Sequence, residues 1–138
     1  MRMSFAILSL ALLAGCATNP AERDRQQLAL YREHAGAPVD SFRYLGRMNS
    51  WTSLGDEAVA IWTSPTRAYL LEVYGPCNEL AYASAIKLSE SAGMVHARFD
   101  EVTPVGSGIR SLPCRIREIR PVDVKALREA RRQAKATG

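Results

Sequence analysis

Three cysteines (Cys16, Cys77 and Cys114) and two histidines (His34 and His96) are the side chains on which nucleophilic, redox or metal chemistry could rest. Cys77 and Cys114 are far apart in sequence, unlike a redox Cys-x-x-Cys pair. A zinc site built on them would need more ligands than two separated imidazoles supply. A catalytic centre needs a base near a nucleophile, or paired carboxylates. The alternation around His96 puts it opposite Val95 and Phe99, towards water, and His34 closes a polar helix. Asp100 and Glu101 are adjacent, so on a strand they point to opposite faces and suit a turn cap better than an acid/base pair. Gly106-Ser107-Gly108 lacks both a following helix and a Lys-Ser/Thr pair, so it reads as a loop and not a phosphate cradle. The expectation is a protein that is not an enzyme and needs no metal or cofactor.

Cys16 stands apart because of what precedes it. Arg2 gives a short N-terminal region one positive charge, and Phe5 to Ala14 is apolar apart from Ser9. Such a run makes about 15 Å of helix, too short for a hydrocarbon layer of about 30 Å, and it has the length of a signal-peptide core. Leu13-Ala14-Gly15-Cys16 follows at once and resembles a lipobox. That resemblance implies a diacylglyceryl thioether on the Cys16 sulfur, and in many bacteria an acyl group on its new amine. Two or three chains anchor firmly, at about 0.8 kcal/mol per buried methylene. Ala17, where an Asp would favour the inner membrane, leans the expectation to the periplasmic face of the outer membrane.

An exported chain meets an oxidising compartment, so the remaining even pair, Cys77 and Cys114, is expected as a disulfide. Closing a loop of that length is worth about 3–4 kcal/mol in the chain-entropy account.

The formal charge of +4 is unevenly placed. From Ala17 to Ile109 there are eight Lys/Arg against eleven Asp/Glu, and from Arg110 onward nine against three. A basic end attracts lipid headgroups, anionic polymers or nucleic acid, and export argues against nucleic acid. Arg128, Arg131, Arg132 and Lys135 are therefore candidates for contact with an anionic surface, with a solvated helix face as the plain alternative. Trp51 lies in a polar loop, Asn49-Ser50-Trp51-Thr52-Ser53, and Trp62 and Tyr74 fall opposite the core faces of their strands. These three could form a ligand-binding aromatic surface, or they could pack a second buried face.

The elements that must position these residues are mostly strands. Period-two alternation around Phe42 and Tyr44, Val59 and Ile61, Tyr69 to Val73, Val95 to Phe99, and Cys114 and Ile116 predicts short antiparallel strands. Ser64-Pro65-Thr66-Arg67 turns the second of these into the third. Ile119 breaks the parity of Ile116, which predicts a bulge or the strand's end. A helical turn is expected from Asn78, and a further strand is an option at Ala85 to Leu88. Asn19-Pro20-Ala21-Glu22 starts a polar helix that runs to about Ala35, with a narrow stripe of Leu28, Tyr31 and Ala35 through which it could dock. Asp123 caps a basic helix from Val124 to about Ala136. The expected fold is mainly β (α+β): a small antiparallel barrel or sandwich of five or six strands between a polar and a basic helix. Its parts are a leader with the lipobox cysteine (1–16), a polar helical spacer (17–40), a β-rich domain (41–121) and a basic helical tail (122–138).

Trp51 with Leu54-Gly55, Tyr69-Leu70-Leu71, Cys77-x-x-Leu80, Phe99-Asp100 and Cys114-Arg115-Ile116-x-x-Ile119 resemble a family of small proteobacterial exported proteins and lipoproteins, a domain of unknown function. The resemblance spans roughly Phe42 to Asp123. It implies a β-rich domain with a paired cysteine couple and supplies no activity. The functional expectation is a non-enzymatic, lipid-anchored envelope protein that binds or scaffolds an anionic envelope polymer or an envelope protein. A carbohydrate- or peptidoglycan-binding module built on Trp51, Trp62 and Tyr74 is the alternative.

Overall fold

The stretch from Ala58 to Val73 is a hairpin that is apolar on both faces, and the rest of the chain covers those faces in turn. The structure is a computed structural model describing residues 19–137; Cys16 and the leader lie outside the described residues. In chain order the elements are α1 (Pro20–Glu33), β1 (Ser41–Arg43), β2 (Ser50–Ser53), β3 (Ala58–Ser64), β4 (Arg67–Val73), a 3₁₀ turn (Leu80–Tyr82), β5 (Ala85–Leu88), β6 (Met94–His96), β7 (Glu101–Val105), β8 (Cys114–Val122) and α2 (Val124–Thr137). Six strands make one antiparallel sheet in the order β2-β3-β4-β8-β7-β5, curled into a half-barrel, so the barrel-or-sandwich expectation resolves to an open curl. β1 and β6 pair separately.

Parity along β3 and β4 separates two cores. Val59, Ile61, Leu71 and Val73 point one way and pack with Phe42 and Val95 of the small β1–β6 pair, with Leu80, and with Ile116 and Ile119 of β8. Ala58, Ala60, Trp62, Ala68 and Leu70 point the other way, beneath Leu28 and Tyr31 of α1 and Val124 and Leu127 of α2. The small alanines on this second face let the helices approach closely. Among the described residues, both cores are built wholly between Leu28 and Leu127, so a chain beginning at Ala17 contains all of their residues.

The helix signals act as read. Asn19 Oδ1 accepts the Glu22 N–H at 2.8 Å, and Asp123 Oδ1 accepts the Ala126 N–H at 3.0 Å. α1 stops at Glu33 rather than Ala35. The chain then runs along the free edge of β8, with the Gly36 N–H donating to Pro121 O and the Val39 N–H to Ile119 O, each at 2.8 Å. The broken parity at Ile119 is a bulge. Glu72 pairs with Glu118 but Val73 with Ile116, leaving Arg117 as the extra residue. Both Ile116 and Ile119 are thereby fully buried in the same core.

The bulge has an electrostatic counterpart. The Glu72 carboxylate is only 5% exposed on the helix side of the sheet. Arg32 of α1 donates to it through Nε at 3.0 Å and through Nη2, and the Arg117 guanidinium lies 3.6 Å away. A buried carboxylate needs such partners. The contact also ties α1 to the β4–β8 ladder.

Two expectations are corrected, and one strand was not foreseen. Phe99 does not continue the Val95 alternation: Arg98 takes φ +70°, the chain turns, and Phe99 is 79% exposed. Asp100 organises that turn, its Oδ2 accepting the His96 N–H at 2.6 Å. β2, read as a polar loop around Trp51, is a strand because it is the sheet's outer strand and has only β3 to satisfy. β7 was hidden by Pro104, which sits beyond Glu101 and Val102, the two residues that pair with β8; there β7 pairs on one side only, where a missing N–H is tolerated.

The disulfide is formed. Cys77, just before the 3₁₀ turn, bonds Cys114, the first residue of β8, with the Cα atoms 6.0 Å apart.

Candidate anionic-surface site

The hydrogen-bond cap at Asp123 and the burial of Val124 and Leu127 fix the rotation of α2, and with it the direction of each cation. Residues three and four apart share a helix face. Lys125, Arg128, Arg131 and Arg132 accordingly line one cleft with Val124 and, from the β3–β4 turn, Thr66. Its volume is about 560 Å³, and no carboxylate lines it.

The four expected surface cations do different things. Arg128 lies with its guanidinium carbon 5.8 Å from the Trp62 ring centroid and donates through Nη2 to the Pro65 carbonyl. Arg131 lies 5.3 Å from the Tyr31 ring centroid and donates through Nη2 to Gln27 Oε1 at 3.1 Å and to the Tyr31 hydroxyl at 3.3 Å. Both are clasps that seat α2 as well as charges that face the cleft. Arg132 is exposed and pairs with Glu129 at 2.6 Å. Lys135 is exposed on the last turn, outside the cleft lining. Lys125 and Thr66 complete the cleft without having been singled out as surface contacts. Lys125 was legible in the helical spacing, whereas Thr66 enters only through the packing of a turn against α2.

The aromatic candidates are not brought together. Trp62 is 8% exposed and buried under α2, so its off-parity position reflects the second core and not a binding surface. Trp51 sits opposite Ile61, hence on the other face of β3, half-buried against the first core. Tyr74 is exposed beyond the end of β4, in a cleft of about 300 Å³ that contains the Cys77–Cys114 bond and Leu112. Parity alone could not distinguish a solvent face from a second buried face.

The remaining polar cluster is structural in geometry. Ser89 Oγ donates to Asp100 Oδ1 at 2.7 Å, while His96 Nδ1 lies 3.3 Å from Asp100 Oδ2. The carboxylate stands between serine and histidine, so the imidazole does not reach the hydroxyl as a base must. His34 caps the end of α1 and is half-buried, and its carbonyl accepts the Asp123 N–H at 2.8 Å. Among the described residues no group of three or more His, Cys, Asp and Glu side chains could hold a metal ion, and no helix is long and apolar enough to cross a membrane.

The model of a family described as "Family of unknown function (DUF6491)" matches residues 1–138, and the chain belongs to that family. No curated protein and no solved structure matches it.

Proposed function

We propose that this protein is a non-catalytic lipoprotein of the bacterial envelope, anchored through Cys16, whose α2 face holds the folded domain against an anionic lipid surface. The observation that carries the reading is the cleft of four cations on α2 without a lining carboxylate. The charged leader, short apolar run and Leu-Ala-Gly-Cys16 sequence support the anchor. Once a lipid holds the domain at a membrane, each Lys or Arg near an anionic surface adds about 1 kcal/mol, within a Debye length of about 8–10 Å. Ala17 favours the outer membrane's periplasmic face as the address.

A form beginning at Ala17 tests the surface reading without the lipid. It should bind phosphatidylglycerol-containing vesicles and lose them steeply as salt rises. Deleting α2 is an unsuitable control, because Val124 and Leu127 belong to the second core. Neutralising exposed Lys125, Arg132 and Lys135 to Gln removes charge and leaves that core intact, and it should abolish most of the binding. No affinity at low salt would refute the surface reading. Binding to isolated sacculi alone would move the partner from lipid to polymer.

A further inference from the structure

The two arginines at the centre of the cleft are held differently from ordinary surface cations. A free arginine loses side-chain entropy when it closes on a ligand. Arg128 is already laid against Trp62 and Arg131 against Tyr31, rings that are 8% and 0% exposed and therefore fixed by the core. Their hydrogen bonds to the protein run through Nη2 alone, to Pro65 O and to Gln27 and Tyr31. Each guanidinium carries five N–H donors. The donors on Nε and Nη1 of both residues have no protein acceptor among the described residues.

Arg131 gives both Nη2 hydrogens to Gln27 and Tyr31 and keeps separate donors on Nε and Nη1, while Arg128 gives one Nη2 hydrogen to Pro65 and keeps one bidentate edge. With no carboxylate in the cleft lining, these fixed cationic donors match an oxyanion that offers several oxygens and more than one negative charge. Lys125 lines the same cleft, as do Arg132, which is paired with Glu129, and Thr66 of the β3–β4 turn. A diffuse attraction to a charged surface needs none of this fixed geometry.

We propose that the cleft is a discrete phosphate-binding site, in which Arg128 and Arg131 grip a phosphomonoester or diphosphate group and Lys125 and Arg132 supply further charge. This rests on the reading of α2 as the anion-facing element and adds a specific ligand chemistry to it. The phosphate could belong to a lipid headgroup or to a free molecule.

The test uses the form beginning at Ala17, titrated with inorganic pyrophosphate while the arginine Nε–H signals are followed by NMR. The Arg128 and Arg131 signals should shift and saturate. The Arg128→Lys/Arg131→Lys double variant keeps the charge but loses the fixed guanidinium donors, and it should bind about tenfold more weakly or worse. If that variant does not fold, Lys125→Gln/Arg132→Gln, which touches neither core, should weaken binding severalfold while the two arginine signals still respond. Unresponsive signals, or equal affinity in wild type and the Lys double variant, would overturn the site. Vesicles containing phosphatidic acid, which carries a phosphomonoester, identify the source. Stronger binding to these than to phosphatidylglycerol vesicles of equal charge, relieved by pyrophosphate, assigns the site to a lipid. Saturable pyrophosphate binding with no affinity for either vesicle supports the site for a free phosphate and counts against the membrane reading alone.

Discussion

Arg131 lies over the ring of Tyr31 at 5.3 Å and reaches that residue's hydroxyl at 3.3 Å, joining positions 100 residues apart. Tyr31 is fully buried on α1, and Arg131 is half-buried on α2, so this contact bridges the first and last elements of the described chain. Both helices sit on the alanine-rich face of the β3–β4 hairpin. A residue singled out for its charge therefore also secures the seat of the helix that carries it.

Arg131→Ala should lower the unfolding free energy by about 1–2 kcal/mol, through loss of the stacked cation and the hydrogen bonds to Gln27 and Tyr31. Arg23→Ala on α1, an exposed residue without a side-chain hydrogen bond or ion pair among the described residues, is the matched control and should change little. Urea titration of the two variants compares them. Equal midpoints would remove the bridging role from Arg131.

The disulfide closes the chain between Cys77 and Cys114 and holds the start of β8 against the residues before the 3₁₀ turn. Reduction, or replacement of both cysteines by serine, should cost about 2–5 kcal/mol. In the folded oxidised protein both thiols should resist alkylation until a reductant is added. Immediate labelling at both positions would contradict the bond.

Tyr44 is buried in the first core, and burial followed by the nearby Glu90 carboxylate raises its phenol above the ordinary value of 10.0. The unfolded chain therefore loses this proton first. The stabilisation is fully present below about pH 10 and is lost as pH rises through the higher folded-state value. Tyr44→Phe should flatten that part of the alkaline stability loss, as measured by denaturant midpoints across the range. An unchanged slope would mean that Tyr44 ionises as it does in the unfolded chain.

Much of the architecture was legible in local pattern. The breach of parity at Ile119 marked the bulge, because a two-residue repeat cannot absorb an extra residue without one. Asn19 and Asp123 marked two helix starts, because their side chains satisfy amides that a first turn leaves free. What failed was non-local. Alternation left Trp62 open between a binding surface and a second buried face, because one strand cannot show that helices from both chain ends cover its other side. Phe99 looked buried because nothing in its alternation foretold the positive φ of Arg98. In the candidate site the helical spacing placed Lys125, Arg128, Arg131 and Arg132 together, but the aromatic rings beneath two of them come from α1 and β3 and required the fold.

Lipid attachment at Cys16 can be read out by metabolic labelling with a clickable fatty acid in a bacterial host that processes lipoproteins. The wild-type chain should carry the label and partition with membranes. Cys16→Ser should carry none and should accumulate as unprocessed precursor or as material released from the membrane. Equal labelling of both chains, or an unlabelled wild-type protein recovered in the soluble fraction, would rule out a lipid tether at Cys16.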